Sequence, residues 1–233
     1  MARLARVVIP GLPHHVTQRG REPVFFNHGD YAADLDLISK AARASGTEIW
    51  AWRLMPNPVH FIMTPGHEDG LRATFAEAHR RYSARIHARL KLTGPLWQGR
   101  FSSTAMDERH LIAAARYLAL NPVAAGLVKW ARDWPWSSAR AQLTGKDDGV
   151  VVTAPILARV PDFAGLLKAA EDEAATRALL NSRTTGRPVG AADWIQGLEA
   201  QTGRKLAAGR RGPKPGAKSP DALSDDLCHT VFP

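Results

Sequence analysis

Cysteine is nearly missing from this chain: Cys228 is the only one in 233 residues. A lone thiol excludes an internal disulfide framework and any zinc site built on cysteines. Long apolar runs are missing as well. No stretch approaches the roughly eighteen consecutive apolar residues that a spanning helix needs. The opening Met1-Ala2-Arg3-Leu4-Ala5-Arg6-Val7-Val8-Ile9-Pro10 has too short an apolar segment, ended by proline, for a secretory signal. Acidic residues are outnumbered, 22 against 31 basic ones, which leaves a formal net charge of +9. There is no P-loop for nucleotide hydrolysis, no RNP-type aromatic motif of an RNA-recognition sheet, and no internal repeat. Together these absences point to a soluble cytoplasmic protein with no membrane partner, whose excess charge favours a polyanion, nucleic acid first.

What is present is enough for a real core, since 45% of the residues are hydrophobic. The length suits one ordinary domain with an appendage. Turn-rich Pro10-Gly11-Leu12-Pro13 precedes a short strand over His15–Arg19. Asp30 is positioned to cap a helix with apolar residues Leu35, Ile38, Ala41 and Ala42, ending before Gly46. Glu48–Leu54 alternates, with Trp50, Trp52 and Leu54 on one face and Ile49, Ala51 and Arg53 on the other; Pro56-Asn57 turns the chain into a second strand, Val59–Met63. Leu71, Phe75, Ala78, Tyr82, Ile86 and Leu90 form one stripe of a long helix. A further helix starts at an Asp107 cap and is expected to stop at Asn121-Pro122, because proline disfavours helix at the residue before it. The character changes after about Ala141. The expected division is a domain over 1–145, a helical connector over 146–182 and a basic, partly disordered DNA-binding tail over 183–233.

Two sets of residues could carry chemistry. Side chains two apart on a strand share a face, so position 58 and His60 project together, and a His-x-His strand is a two-ligand cation site. Here the pair is reduced to His60, because position 58 is proline. A lone strand histidine is more often structural. On the helix after Asp107, Tyr117 and Asn121 stand four apart on one face, with His110 seven residues before the tyrosine. Tyrosine is a weak nucleophile near its ordinary pKa and needs cations around it to attack a phosphate. Alone, this pair too has an ordinary packing role open to it. Outside these sets, Arg81, Arg85 and Arg89 recur every four residues as a cationic ridge spaced to follow a phosphate backbone, or as a solvated face. Residues 183 to 218 hold eight basic side chains against two acidic ones, and Arg210, Arg211 and Lys214 there suit a DNA-binding arm or a solubilising tail.

Several motifs in order add specificity. His15-Val16-Thr17-x-Arg19-Gly20, Met55-Pro56-Asn57-x-Val59-His60, Trp97-Gln98-Gly99-Arg100-Phe101, Tyr117-Leu118-x-Leu120-Asn121-Pro122-Val123-x-x-Gly126 and Trp134-Pro135-Trp136-Ser137-Ser138 resemble the HUH-type single-tyrosine transposases, within them the REP-associated tyrosine transposases of bacteria. The resemblance covers roughly residues 1 to 141. It implies an α+β fold, a ferredoxin-like antiparallel sheet with helices packed on it, here followed by a helical and basic C-terminal extension. It implies that Tyr117 attacks a DNA phosphate to give a 5′-phosphotyrosine and a free 3′-hydroxyl, that His60 and Asn121 are ligands of Mg²⁺ or Mn²⁺, and that the protein binds single-stranded DNA hairpins as a homodimer. Arg100 lies in a family motif and is expected at the DNA or tying a loop to the core. Trp97, Phe101, Trp134 and Trp136 are expected to be core residues rather than stacking platforms. Pro58 departs from the pattern, standing where the family has its first metal histidine. Proline has no side-chain donor atom, so either another histidine (His14, His15 or His67) substitutes, or the chain is a domesticated repeat-DNA binder that has lost cleavage.

Overall fold

The structure, a computed structural model, describes residues 6–207. Its first half runs β1 (His14–Gln18), α1 (His28–Ala44), β2 (Thr47–Leu54), β3 (Val59–Pro65), α2 (Gly70–Leu90), β4 (Ser102–Ala105). The four strands form one antiparallel sheet in the order β2-β3-β1-β4. This is the ferredoxin-like arrangement, two split βαβ units side by side. After it come α3 (Glu108–Ala124), α4 (Ala139–Thr144), α5 (Ala154–Leu157), α6 (Phe163–Lys168), α7 (Glu173–Thr185) and α8 (Ala192–Thr202).

The sheet separates two cores. On one face, Val16 of β1 and Val59, Phe61 and Met63 of β3 pack against α1 and the α2 stripe of Leu71, Phe75, Ala78, Tyr82 and Ile86. On the other, Ile62 meets Leu111, Ala114, Ala115 and Leu118 of α3. Strand alternation therefore sends His60 toward α3. The expected faces of β2 need one correction: a bulge between Ile49 and Ala51 turns Trp50 to the α3 side, while Trp52 and Leu54 face α1 and α2. An extra residue in one strand shifts the phase of alternation, which no local pattern reveals.

Three other boundaries differ from the sequence reading. The α1 cap is Asn27, whose side chain accepts from the Asp30 amide. Asp30 instead lies buried in the first turn and takes both ends of the Arg89 guanidinium, Nη2 donating at 2.7 Å. Helix α3 runs through Pro122 to Ala124: the ring forgoes one hydrogen bond to the preceding turn, but burial of Pro122 against the core holds the helix on course. Helix α7 crosses residue 183 without a break, and 183–207 is no loose tail. Leu198 and Leu206 pack with Val7, Ile9 and Ala105, and Arg187 Nη1 donates to the carbonyls of Leu206 and Ala207.

Both sheet edges are covered, which prevents strand pairing with other chains. Ser102 and Thr104 of β4 bond to Arg183 and Ser182, and Val189 N donates to Ala105. Along β2, Leu54 N donates to Trp136 O and Ser138 N to Trp52 O, so the Trp134–Ser138 motif closes the far edge. The Asp30–Arg89 pair locks α1 to α2. Replacing Arg89 by Met removes the ion-pair partner of the buried Asp30 and leaves it the Phe26 amide, so the protein is expected to unfold at lower urea concentration, measured by urea denaturation.

Candidate active site and nucleic-acid interface

Three elements converge on the α3 side of the sheet. β1 and β3 pair with Thr17 opposite His60, which sets His15 diagonally beside it. His15 Nε2 and His60 Nδ1 lie 2.8 Å apart, sharing one hydrogen, with the two rings stacked at 5.1 Å. Tyr117 of α3 stands edge-on to both, its ring centre 5.8 Å from His60 and 6.4 Å from His15. Asn121, one turn on, reaches the same place. The sequence-derived trio His60, Tyr117 and Asn121 thus shares one pocket, and His15, one of the candidate substitutes, joins it. His14 projects from the other face, bonded to Leu12 O and Ile9 N, and His67 is exposed at the end of β3. His110 turns back to its own cap, Asp107, at 2.6 Å.

The residue that sequence reasoning passed over is Arg53. It is the cross-strand partner of His60 and is 1% exposed. Its Nη1 donates to Asn121 Oδ1 and lies against Met55 Sδ, and its guanidinium carbon is 5.8 Å from the centre of the Tyr117 ring. An arginine between buried neighbours on the inward face of a strand was the available signal. The pocket is consequently hostile to further positive charge. Burial first, then Arg53, His15, Arg183 and Arg19, holds the His60 imidazole well below its ordinary pKa. Burial, with Arg183 and Arg53, depresses His15 to about 3, so both rings are neutral at pH 7. Burial also lowers Arg53 itself, to about 10.

A groove of about 420 Å³ adjoins this pocket through Thr17, whose hydroxyl is 3.4 Å from His60. Arg19, Arg100 and Arg183 line it with Gln18, Gln98 and Ser102. The Trp97–Phe101 motif creates it: Gln98 N donates to Arg19 O and Gln18 Nε2 to Gly99 O at 2.9 Å, which brings Arg100 beside the end of β1. Gly20 is required at that turn, because a Cβ there would meet Val24 Cγ1 at 2.3 Å.

The expected ridge on α2 does not belong to this place. Helix α2 packs on the opposite face of the sheet, Arg89 is spent on Asp30, and Arg81 lies 3.9 Å from Glu77. Arg85 is exposed there. Arg210, Arg211 and Lys214 lie outside the described residues. Of the aromatics expected in the core, Phe101 is buried, whereas Trp97, stacked on His79 at 4.2 Å, Trp136, stacked on Tyr31 at 5.0 Å, and Trp134, whose Nε1 donates to Leu54 O, are half-buried.

This geometry can be set beside known proteins. No protein-family model matches the chain. A REP-associated tyrosine transposase of Escherichia coli (strain K12) is 35% identical over 107 residues, which are 43% of this chain and 59% of that protein. A solved structure of a REP-associated tyrosine transposase bound to a REP hairpin superposes with a TM-score of 0.50 at 25% identity, over 65% of this chain and 92% of that one. Over these stretches the chain is similar to REP-associated tyrosine transposases. A weaker likeness, TM-score 0.37 at 22% identity, is to a crystal structure from Deinococcus radiodurans R1, 50% of this chain against 95% of that one. The matched stretch spans about three-fifths of the E. coli relative.

The metal that such a relationship implies can be tested against the residues here. A hard divalent cation needs several oxygen or free nitrogen donors, usually with a carboxylate. His60 Nδ1 is engaged with His15, Asn121 Oδ1 accepts from the buried Arg53 guanidinium, and Pro58 offers no donor, which leaves His15 Nδ1 as a ring nitrogen without a partner among the described residues. Among the described residues no group of three or more His, Cys, Asp or Glu is placed to hold a metal ion. As arranged here, this donor set does not fit a Mg²⁺ or Mn²⁺ ion. Among the described residues, too, no helix is long and apolar enough to cross a membrane.

Proposed function

We propose that this chain is a transposase-like protein that binds single-stranded or hairpin repeat DNA, and cleaves and rejoins it through Tyr117. The phenol would attack a phosphodiester, leaving a 5′-phosphotyrosine and a free 3′-hydroxyl. One observation carries this reading: the half-buried phenol of Tyr117 stands against the neutral His15–His60 pair in a cationic pocket that opens toward a groove of three arginines. The kinship with a protein solved on a REP hairpin supports the choice of substrate. A second reading, a repeat-DNA binder without cleavage, draws on Pro58 and the unsuitable metal site.

Binding is tested by moving charge. Arg183→Glu places an acid in the groove and is expected to weaken affinity for a labelled hairpin about tenfold or more, with a shallower salt dependence. Arg85→Glu, on the far face, should change affinity little. The reverse ranking in a fluorescence-anisotropy titration would put the DNA on α2 and overturn the assignment of the groove.

A further inference from the structure

Arg53 is the bulkiest of the fully buried side chains, and no carboxylate among the described residues pairs with it. Taking a guanidinium out of water costs several kcal/mol unless it is paired and hydrogen-bonded, and an apolar residue would fill the same space more cheaply. Only Nη1 is used, on Asn121 and against Met55. Nε and Nη2 have no acceptor among the described residues. These two N–H groups lie on one edge of the planar group, the edge that grips a phosphate or carboxylate side-on through two parallel bonds. Buried, charged, with that edge uncommitted and Tyr117 beside it, Arg53 is arranged to receive an anion.

We propose that Arg53 takes the place of the divalent cation at this site, holding the phosphate that Tyr117 attacks, so that strand cleavage runs without metal. The inference rests on the reading of Tyr117 as nucleophile. In the step, the Tyr117 Oη–P bond forms as the P–O3′ bond breaks. The phenolic proton ends on the departing 3′ oxygen, and one phosphodiester replaces another, so no further reactant is needed. Arg53 neutralises charge on the non-bridging oxygens as it spreads in the transition state, the role an arginine finger plays in phosphoryl transfer. Pro58 then reads as the other half of an exchange: the strand lost a metal-ligating position and gained its own cation five residues earlier, on the neighbouring strand. Asn121 becomes a positioning residue that holds Nη1 and so fixes the plane of the guanidinium.

The test is covalent capture of a labelled single-stranded hairpin by the full chain, in EDTA and in Mn²⁺, with hairpin affinity measured in parallel on Tyr117→Phe proteins. The wild type should form adduct equally in both. Arg53→Met should lose about a thousandfold or more in rate, on the scale of removing an arginine finger. Arg53→Lys, which keeps the buried charge but not the two-pronged edge, should fall between and covers the case in which Met disturbs folding. Pro58→His combined with Arg53→Val should give adduct only with Mn²⁺. Adduct from the wild type in Mn²⁺ alone would overturn the proposal and leave the role of Tyr117 standing; so would EDTA-resistant adduct undiminished in Arg53→Met. Absence of adduct under every condition would remove the nucleophile reading instead. Affinity then decides Arg53: the Tyr117→Phe/Arg53→Met protein should bind about tenfold more weakly than Tyr117→Phe, and equal binding would overturn the proposal.

Discussion

Tyr117→Phe is expected to abolish covalent capture of a DNA hairpin, a loss of more than about a thousandfold, or roughly 4 kcal/mol of barrier, while hairpin affinity stays within about twofold. The chain has three tyrosines, and the fold disposes of two. Tyr82 is fully buried and its hydroxyl donates to Val24 O at 2.6 Å. Burial, followed by the nearby Asp34 and Asp30 charges, pushes its phenol above the ordinary range. Tyr31 is buried in a stack with Phe25 at 4.1 Å and Trp136 at 5.0 Å, and burial raises its pKa too. Tyr117 alone combines partial exposure with a cationic setting. Phenylalanine keeps the edge-on ring packing against His15 and His60, so the change removes the oxygen and little else. Undiminished capture in gel-shift under denaturing conditions would end the case for Tyr117.

The second large effect concerns stability and pH. Asp34 is 0% exposed inside α1, and neither carboxyl oxygen has a partner among the described residues. Arg89 has been taken by Asp30, and Arg85 and Tyr82 from α2 do not bond to it. Burial pushes its pKa up to about 7. The folded state therefore holds this proton more tightly than the unfolded chain, whose carboxyl titrates near pH 4. The group imposes no ionisation penalty below about pH 4. Its cost grows as pH rises from there and is complete above about pH 7. Asp34→Asn removes the charge at constant shape and should raise unfolding free energy at pH 8 by about 3 kcal/mol, the gain disappearing by pH 4. Urea melts at both pH values measure it, and a gain independent of pH would contradict the assignment.

Much of the frame was legible because it was written in local periodicity. The α2 stripe from Leu71 to Ile86 and the hairpin around Pro56-Asn57 needed only spacing and turn chemistry. The placement of His60 and Tyr117 in one pocket was carried by co-ordered motifs. What escaped shares a physical cause: it was decided by partners distant in sequence. Arg89 belongs to Asp30, 59 residues away, so one arginine of the apparent ridge was already spent. Pro122 broke no helix because tertiary burial outweighed one missing hydrogen bond. Arg53 looked like the polar face of an edge strand until the Trp134–Ser138 segment covered that edge and α3 closed over it. Arg183 counted as one charge in a tail, whereas α7 delivers it to the groove beside His60. Asn121, too, has a partner that spacing could not reveal, a guanidinium from 68 residues earlier.

The most direct measurement is the identity of the residue that carries DNA. Wild-type protein captured on a labelled single-stranded hairpin in EDTA, digested and mapped by mass spectrometry, should yield one modified peptide with a nucleotide 5′-phosphate on the Tyr117 oxygen. A nucleotide on any other side chain, or unmodified Tyr117 in the captured protein, would contradict the account.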